Sequence, residues 1–387
     1  VKPNRVLMGL AIGARQLYLP WKQRVRQWGG LPAGRGPTVL ITNHQHINEG
    51  EIVISRIFLT QPWKPLVMVN SRRTFETGFF AARLPWTARF TRTINPTAMW
   101  ECFSILPVEN HLFSRTLSSL AEEIRATHGD LALDAILPPE RVAALGLAGC
   151  TLADLWTMRY FFKAQQTVKI AYLREPYKSE ALEHFRTTSA ADVARIVDTV
   201  RAGATFYVTP EGDFSRDGSM HRMRNGIVDA VLPFADPWLC AIAYDPFRGK
   251  RLPMLYRILR PVDPADITAS LGAARPVTTT SLLSTVLLDR AEPIARATAI
   301  DAVAARLRAL PANVFVDPEL QRDVAGTVGE ALDALLRRGT LRTDGPRYAL
   351  TEHRADARFP HIADMLTYQR TMLAETLACA ERLSAAS

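Results

Sequence analysis

From Thr38 to Tyr244 short apolar runs of β character alternate with stretches of helical period, and this alternation most constrains the fold. The runs are Thr38-Val-Leu-Ile-Thr, Pro65-Leu-Val-Met-Val, Phe103-Ser-Ile-Leu-Pro-Val, Val168-Lys-Ile-Ala-Tyr-Leu, Thr205-Phe-Tyr-Val-Thr and Leu239-Cys-Ala-Ile-Ala-Tyr. Between them, Glu51 to Leu59 reads as a helix, and Ala190 to Ala202 repeats apolar residues at Ala191, Val193, Ile196, Val197 and Val200. Strands alternating with helices predict an α/β domain with a central, largely parallel sheet flanked by helices. Ligands of such sheets gather at the carboxyl ends of the strands.

The pattern divides the chain. Residues 1–30 form an N-terminal amphipathic segment, 31–265 the α/β domain, and 266–387 a C-terminal helical region. Within the domain, about 130–166 reads as an inserted group of short helices around "LPPERVAALGLAGCTLADLW". After about Pro264 helices dominate. Thr327 to Glu352 reads as an amphipathic helix, a turn at Gly339 and two β runs about Asp344-Gly345, which resembles a winged helix. The tail from Phe359 to Leu383 reads as a terminal helix.

With 48% apolar and 22% charged residues, the composition excludes a disordered chain and a polytopic membrane protein. No stretch of about 18 uninterrupted apolar residues occurs, so no transmembrane helix is expected. Gly226 to Tyr244 comes nearest and is broken by Asp229, Pro233, Asp236 and Pro237. Val6 to Trp21 lacks the features of a secretory signal; it reads as a helix packed on the domain or lying in a membrane interface. Cys102, Cys150, Cys240 and Cys379 are far apart and form no C-x-x-C pair. They read as buried thiols of a reducing compartment, and no metal site is implied. The net charge of +9 suits an anionic partner such as a phosphate-bearing substrate, lipid head groups or nucleic acid.

The stretch "TNHQHINEGE", Thr42 to Glu51, carries two histidines, each with a glutamate five positions on: His44 with Glu49 and His46 with Glu51. Five residues of continuous helix separate side chains by about 140°. A pair at this spacing therefore meets only if the histidine lies in the turn and the glutamate in the first helical turn. His44 and Glu49 fit that placement best, with Glu49 favoured near a helix start. Such a pair is a general base and its orienter. The other reading is two solvated loop histidines. A second stretch, "TFYVTPEGDFSRDGSMHRMRNGI", ends a β run in Pro210-Glu211-Gly212. Gly212 suits a positive φ that lets backbone N–H groups approach an anion, and Arg216, Arg222 and Arg224 offer guanidinium groups for phosphate.

Together these stretches resemble the glycerolipid acyltransferase superfamily, the glycerol-3-phosphate and lysophosphatidate acyltransferases. "NHQHINE" is similar to the family's first motif, Asn-His, four residues, Asp, with Glu49 in the Asp place. "PEGDFSRDG" keeps Pro210, Glu211, Gly212 and Ser215 of the family's Pro-Glu-Gly-Thr-Arg-Ser motif. It departs at Asp213 and at Phe214, where the phosphate-contacting Arg is expected; Arg216 is the substitute on offer. "DPWLCAIAY" with Pro237 resembles the family's apolar strand with a proline. The arginine that binds the acceptor's phosphate has two candidate places: "SILPVEN", where Glu109-Asn110 stands instead, and "IAYLREP", which supplies Arg174 and is preferred.

The resemblance implies acyl transfer from acyl-CoA or acyl-carrier protein, as co-substrate and without a further cofactor, to the hydroxyl of a glycerophosphate or lysophospholipid. It implies His44 as base, Glu49 as its orienter, and Arg174, Glu211, Gly212, Ser215 and Arg216 as substrate-binding residues. Backbone N–H groups near Gly212 or the helix start are the expected oxyanion donors. Because acceptor and product are lipids, the chain is expected on the cytoplasmic face of a membrane, held peripherally to anionic head groups by Lys22, Arg24, Arg26, Arg72 and Arg73. Two other classes stay open. One is a catalytically degenerate domain of this fold that binds lipid or acyl chains. The other is a nucleic-acid-binding regulator using Arg337, Arg338, Arg342 and Arg347 of the winged-helix-like segment.

Overall fold

A computed structural model of the chain describes residues 4–31, 36–46, 48–109, 113–212, 214–220, 226–290 and 292–386. In chain order its strands are β1 (Gln23–Gly29), β2 (Thr38–Thr42), β3 (Leu66–Ser71), β4 (Ile105–Val108), β5 (Ser114–Thr116), β6 (Thr167–Lys169), β7 (Thr205–Val208), β8 (Asp236–Tyr244), β9 (Leu252–Leu259), β10 (Ile294–Ala295), β11 (Leu341–Asp344) and β12 (Arg347–Leu350). The protein is α/β, with a mostly parallel sheet flanked by helices and a C-terminal helical region. Its contacts divide it into two compact units, Val1–Leu10 with Val67–Ala202, and Ala11–Leu66 with Gly203–Ser387. Asn110, Asp213, Arg222 and Arg224, named above, lie outside the described residues.

In the second unit the strands run β1-β9-β8-β2-β7. β2 pairs in parallel with both β7 and β8, β9 is antiparallel to β8, and β1 runs parallel to β9. Every residue of β2 is buried, which is why Thr38-Val-Leu-Ile-Thr reads as a continuous apolar run rather than an alternating one. Parallel pairing sets the carboxyl ends of β2, β7 and β8 at one edge. The β2–β7 register, with Ile41 opposite Val208, sets the residues that follow at equal height, His44 towards Glu211.

The C-terminal part of this unit carries the helices Thr279–Leu288, Arg296–Arg308, Val324–Arg337 and Met365–Ala386 and the small antiparallel sheet β10-β12-β11. The helix Val324–Arg337 is followed by the antiparallel hairpin β11-β12, in the order expected from Thr327 to Glu352. The outer side of that helix carries Glu330, bonded to Arg248, and Asp333, bonded to Arg296. Arg338 is committed to Asp356 and to the carbonyl of Pro246.

The first unit holds β3 paired in parallel with β4, and a core formed by the helix Leu117–His128, the short helices of the expected insertion, and one side of the helix Tyr177–Arg201. The insertion packs Leu133, Ile136, Leu137, Val142, Leu147, Leu152 and Leu155 into that core.

Three expectations change. Val168–Leu173 is not a strand of the parallel sheet: β6 is short, pairs antiparallel with β5, and gives way to a 3-10 turn at Ile170–Tyr172. The N-terminal segment contains more than a helix, because β1 follows the helix Arg5–Lys22 directly. The arginines assigned to lipid are largely engaged: Arg24 pairs with Glu319, Arg26 with Asp317, and Arg72 with Glu109 and Asp192. The helix Arg5–Lys22 buries Met8 and Ile12 and exposes Val6, Leu10, Leu17 and Trp21, which lie within about 60° on its opposite face. No helix among the described residues is long and apolar enough to cross a membrane.

β1 is polar and owes its place partly to distant acids. Both Arg26 terminal nitrogens donate to the fully buried Asp317, at 2.7 and 2.6 Å. Asp317 also accepts the N–H of Glu319 and so caps the helix Pro318–Arg322. Removing Asp317 leaves Arg26 only its weaker contact with Glu319, 3.1 Å away, and strips the helix Pro318–Arg322 of its cap. Asp317→Ala is expected to cost about 3–5 kcal/mol, read as a lowered urea midpoint.

Candidate active site

The site begins where β2 ends. Thr42 donates its hydroxyl to the carbonyl of Cys240. Asn43 then extends the pairing with its side chain: its Nδ2 donates to the Ile242 carbonyl at 3.0 Å and its Oδ1 accepts the Ile242 N–H at 2.8 Å. An amide side chain thus replaces a ladder residue, and the chain leaves the sheet with its next residue fixed. Gln45 adds a bond from Nε2 to the same carbonyl.

Glu49, first residue of the helix Glu49–Thr60, turns its carboxylate back into this corner. Its oxygens accept the N–H groups of Gln45 and His46 and face Nδ1 of His44 at 2.9 Å. The carboxylate is fully buried. Burial raises its pKa above the ordinary value, opposed by the His44 bond and charge and by the two backbone donors. The alternative pair is not formed: Glu51 bonds Arg15 at 3.2 Å. His46 accepts the N–H of Asn48 on Nδ1 at 3.3 Å. Its pKa is lowered, first by burial, then by the neighbouring His361.

The Pro-Glu-Gly turn meets this corner as the register requires. Glu211, buried, accepts the backbone N–H of His44 at 2.9 Å, and the N–H of Ser215 donates to the His44 carbonyl at 3.2 Å. Gly212 has φ +67 and is exposed, but its N–H donates to Thr209. That bond takes Gly212 itself out of the set of expected oxyanion donors. The Ser215 hydroxyl accepts the N–H of Gly218 and donates to the Ser219 carbonyl, closing the turn. Arg216 is exposed, with no bond or ion pair among the described residues. Phe214, where the resemblance expects a phosphate-contacting arginine, instead sets its ring 4.3 Å from that of His44.

Arg174 belongs to the first unit, is exposed, and follows the 3-10 turn at Ile170–Tyr172. The strand context that made it the preferred phosphate ligand is therefore absent. β4 is the strand of that unit's parallel pair, and Glu109 behind it bonds Arg72, which itself directly follows β3. Burial pushes Glu109 up to about 7 against the pull of Arg72 and Arg115.

Several residues of the site come from the C-terminal region, where sequence reasoning did not look. His361 stacks on Phe214 at 4.9 Å, Phe359 lies against His46 at 5.4 Å, and Tyr244 lies against both His46 and Phe359. Met372 receives Gln45 Nε2. Buried Arg275 reaches the carbonyls of Gly218 and Met372 and pairs with Glu375, which also accepts the N–H of Met220. A Cβ at Gly218 would stand 2.1 Å from the Tyr368 carbonyl oxygen, so only glycine lets the turn lie against this helix. The "FPHIAD" stretch was the available signal, since aromatic and imidazole groups side by side suit a site wall.

No protein-family model and no curated protein matches the chain.

The Glu49 shift has a signed consequence. An acid whose folded pKa exceeds its unfolded value of 4.5 binds its proton more tightly when folded. That contribution is fully present below pH 4.5 and is lost as pH rises towards the folded pKa. Urea unfolding from pH 4.5 to 8 should show a smaller decline of stability in Glu49→Gln than in the parent. Equal slopes would show that Glu49 titrates as it does in the unfolded chain.

Proposed function

We propose that the protein is an O-acyltransferase that moves a fatty acyl group from a thioester, acyl-CoA or acyl-carrier protein, to a lipid-precursor hydroxyl at a membrane surface. The observation that carries this reading is the His44–Glu49 pair, with the Pro-Glu-Gly turn bonded to the same histidine's backbone. The family resemblance of the two motifs supplies the reaction class.

Glu49 accepts the proton on His44 Nδ1, so Nε2 carries the free lone pair. The buried carboxylate also stabilises the imidazolium that forms. Nε2 takes the proton of the acceptor hydroxyl as its oxygen attacks the thioester carbonyl carbon. The tetrahedral intermediate collapses with cleavage of the C–S bond. The thiolate leaves and takes the proton from Nε2, giving ester and free thiol. This route needs no covalent enzyme intermediate.

The Phe214 ring beside His44, with His361 stacked on Phe214, supports an acceptor that presents carbon rather than a phosphate at this side of His44. Glycerol 3-phosphate and lysophospholipids remain the acceptor classes to compare.

The test is thiol release from long-chain acyl-CoA, and transfer from acyl-carrier protein, with each acceptor in turn. His44→Ala should abolish acceptor-dependent turnover, and His46→Ala should retain most of it. Glu49→Gln turns an amide N–H towards Nδ1 and so forces the proton onto Nε2. Its expected loss is on the order of 10²–10⁴-fold at unchanged fold. Absence of turnover in folded parent protein that binds lipid would replace the enzyme with a binding module of this fold.

A further inference from the structure

The segment 77–100 of the first unit is built inside out. It forms the helix Phe79–Arg83, the 3-10 turn Pro85–Thr87 and the helix Ala88–Thr91. What it buries fully is small, Gly78, Ala81, Ala88 and Pro96, with the alanines packed on Phe161 and flanked by Trp156, while Phe79, Phe80 and Trp100 pack on one another half-buried. What it exposes is large. Trp86 is 82%, Phe90 79% and Leu84 46% exposed, and Ile94 is exposed beyond them. If water were the only solvent, the hydrophobic effect would favour the reverse arrangement, because each aromatic holds far more apolar area than an alanine. Single exposed apolar residues are ordinary; four within eleven positions, two of them aromatic and four residues apart, are a patch.

Charge identifies what covers it. From 77 to 100 the sequence contains no Asp or Glu and three arginines, Arg83, Arg89 and Arg92. Arg83 and Arg89 are exposed and hold no ion pair among the described residues. Arg92 is turned inward, to the carbonyls of Trp156 and Arg89. Trp and Phe beside unpaired guanidinium groups match an interface whose apolar layer lies beneath an anionic surface.

We infer that Leu84, Trp86 and Phe90 insert into the head-group layer of an anionic lipid bilayer, with Arg83 and Arg89 on the lipid phosphates. This replaces the arginines first assigned to that role, of which Arg24, Arg26 and Arg72 are held in ion pairs. The inference deepens the membrane-surface part of the proposed function and is independent of the reaction. The helix Arg5–Lys22, with its exposed Val6, Leu10, Leu17 and Trp21, is a second element of the same character.

The experiment is sedimentation of the full chain with sucrose-loaded vesicles of phosphatidylcholine, with and without one quarter phosphatidylglycerol. Trp86→Ser and Phe90→Ser should each weaken binding to the mixed vesicles roughly tenfold. Arg83→Gln with Arg89→Gln should remove most of the preference for the anionic vesicles, at about fivefold per arginine. All four side chains are exposed, so thermal unfolding should stay at the parent's temperature. Binding within twofold of the parent in the double aromatic variant would overturn the inference. So would a change in oligomeric state by light scattering with vesicle binding intact, which would make the patch a contact between protein chains. Turnover of butyryl-CoA with glycerol 3-phosphate and with a short-chain lysophospholipid, measured without vesicles, reads the chemistry separately: its absence with both counts against the acyltransferase, not against the docking surface.

Discussion

The corner between β2 and the helix Glu49–Thr60 depends on one buried carboxylate. A chain leaving a parallel strand has backbone N–H groups with no ladder left to join, and burying them unpaired is costly. Glu49 accepts two of them and holds the His44 ring with the same oxygens. Desolvation penalises its charge, and the three donors offset part of that penalty. Orientation of the His44 ring and local folding are therefore one interaction. The glutamate side chain is long enough to reach back from the first helical residue, with its carboxylate 2.9 Å from Nδ1.

The sheet does the remaining placement. Parallel pairing of β2 with β7 puts the end of each strand beside the other, so residues more than 160 positions apart meet without any loop having to travel. Asn43 secures the opposite side by pairing with β8. The histidine backbone is thereby held on both flanks, and Glu49 holds its ring.

Much of this was legible because its signals are local. The buried strand β2 shows itself as five consecutive residues that sit comfortably in a core, and the His44–Glu49 spacing carries its own geometric test. What was illegible depends on distance. β1 reads as polar because its arginines answer to Asp317 and Glu319, nearly 300 positions on. Val168–Leu173 has strand composition, yet its neighbours make it a short antiparallel arm and a turn; composition alone does not say which sheet a run joins. Phe359, His361 and Arg275 escaped notice because nothing in their own surroundings points to a corner set up by residues 43–49. The segment 77–100 is the opposite case: its composition was visible throughout, but only the burial of its alanines reveals which way its aromatics face.

Arg275 and Glu375 bear on where this chain can be divided. By sequence pattern the α/β part ends near Pro264, and a cut there would seem to isolate a minimal domain. The turn that follows Pro-Glu-Gly, however, rests on Arg275 through the Gly218 carbonyl, on Glu375 through the Met220 N–H, and on the backbone of the last helix at Gly218. Phe359 and His361 complete the wall beside the histidines. The C-terminal region is thus the floor of the site as much as a neighbour of it. A shortened chain would keep both motifs in its sequence and lose the ground on which one of them stands.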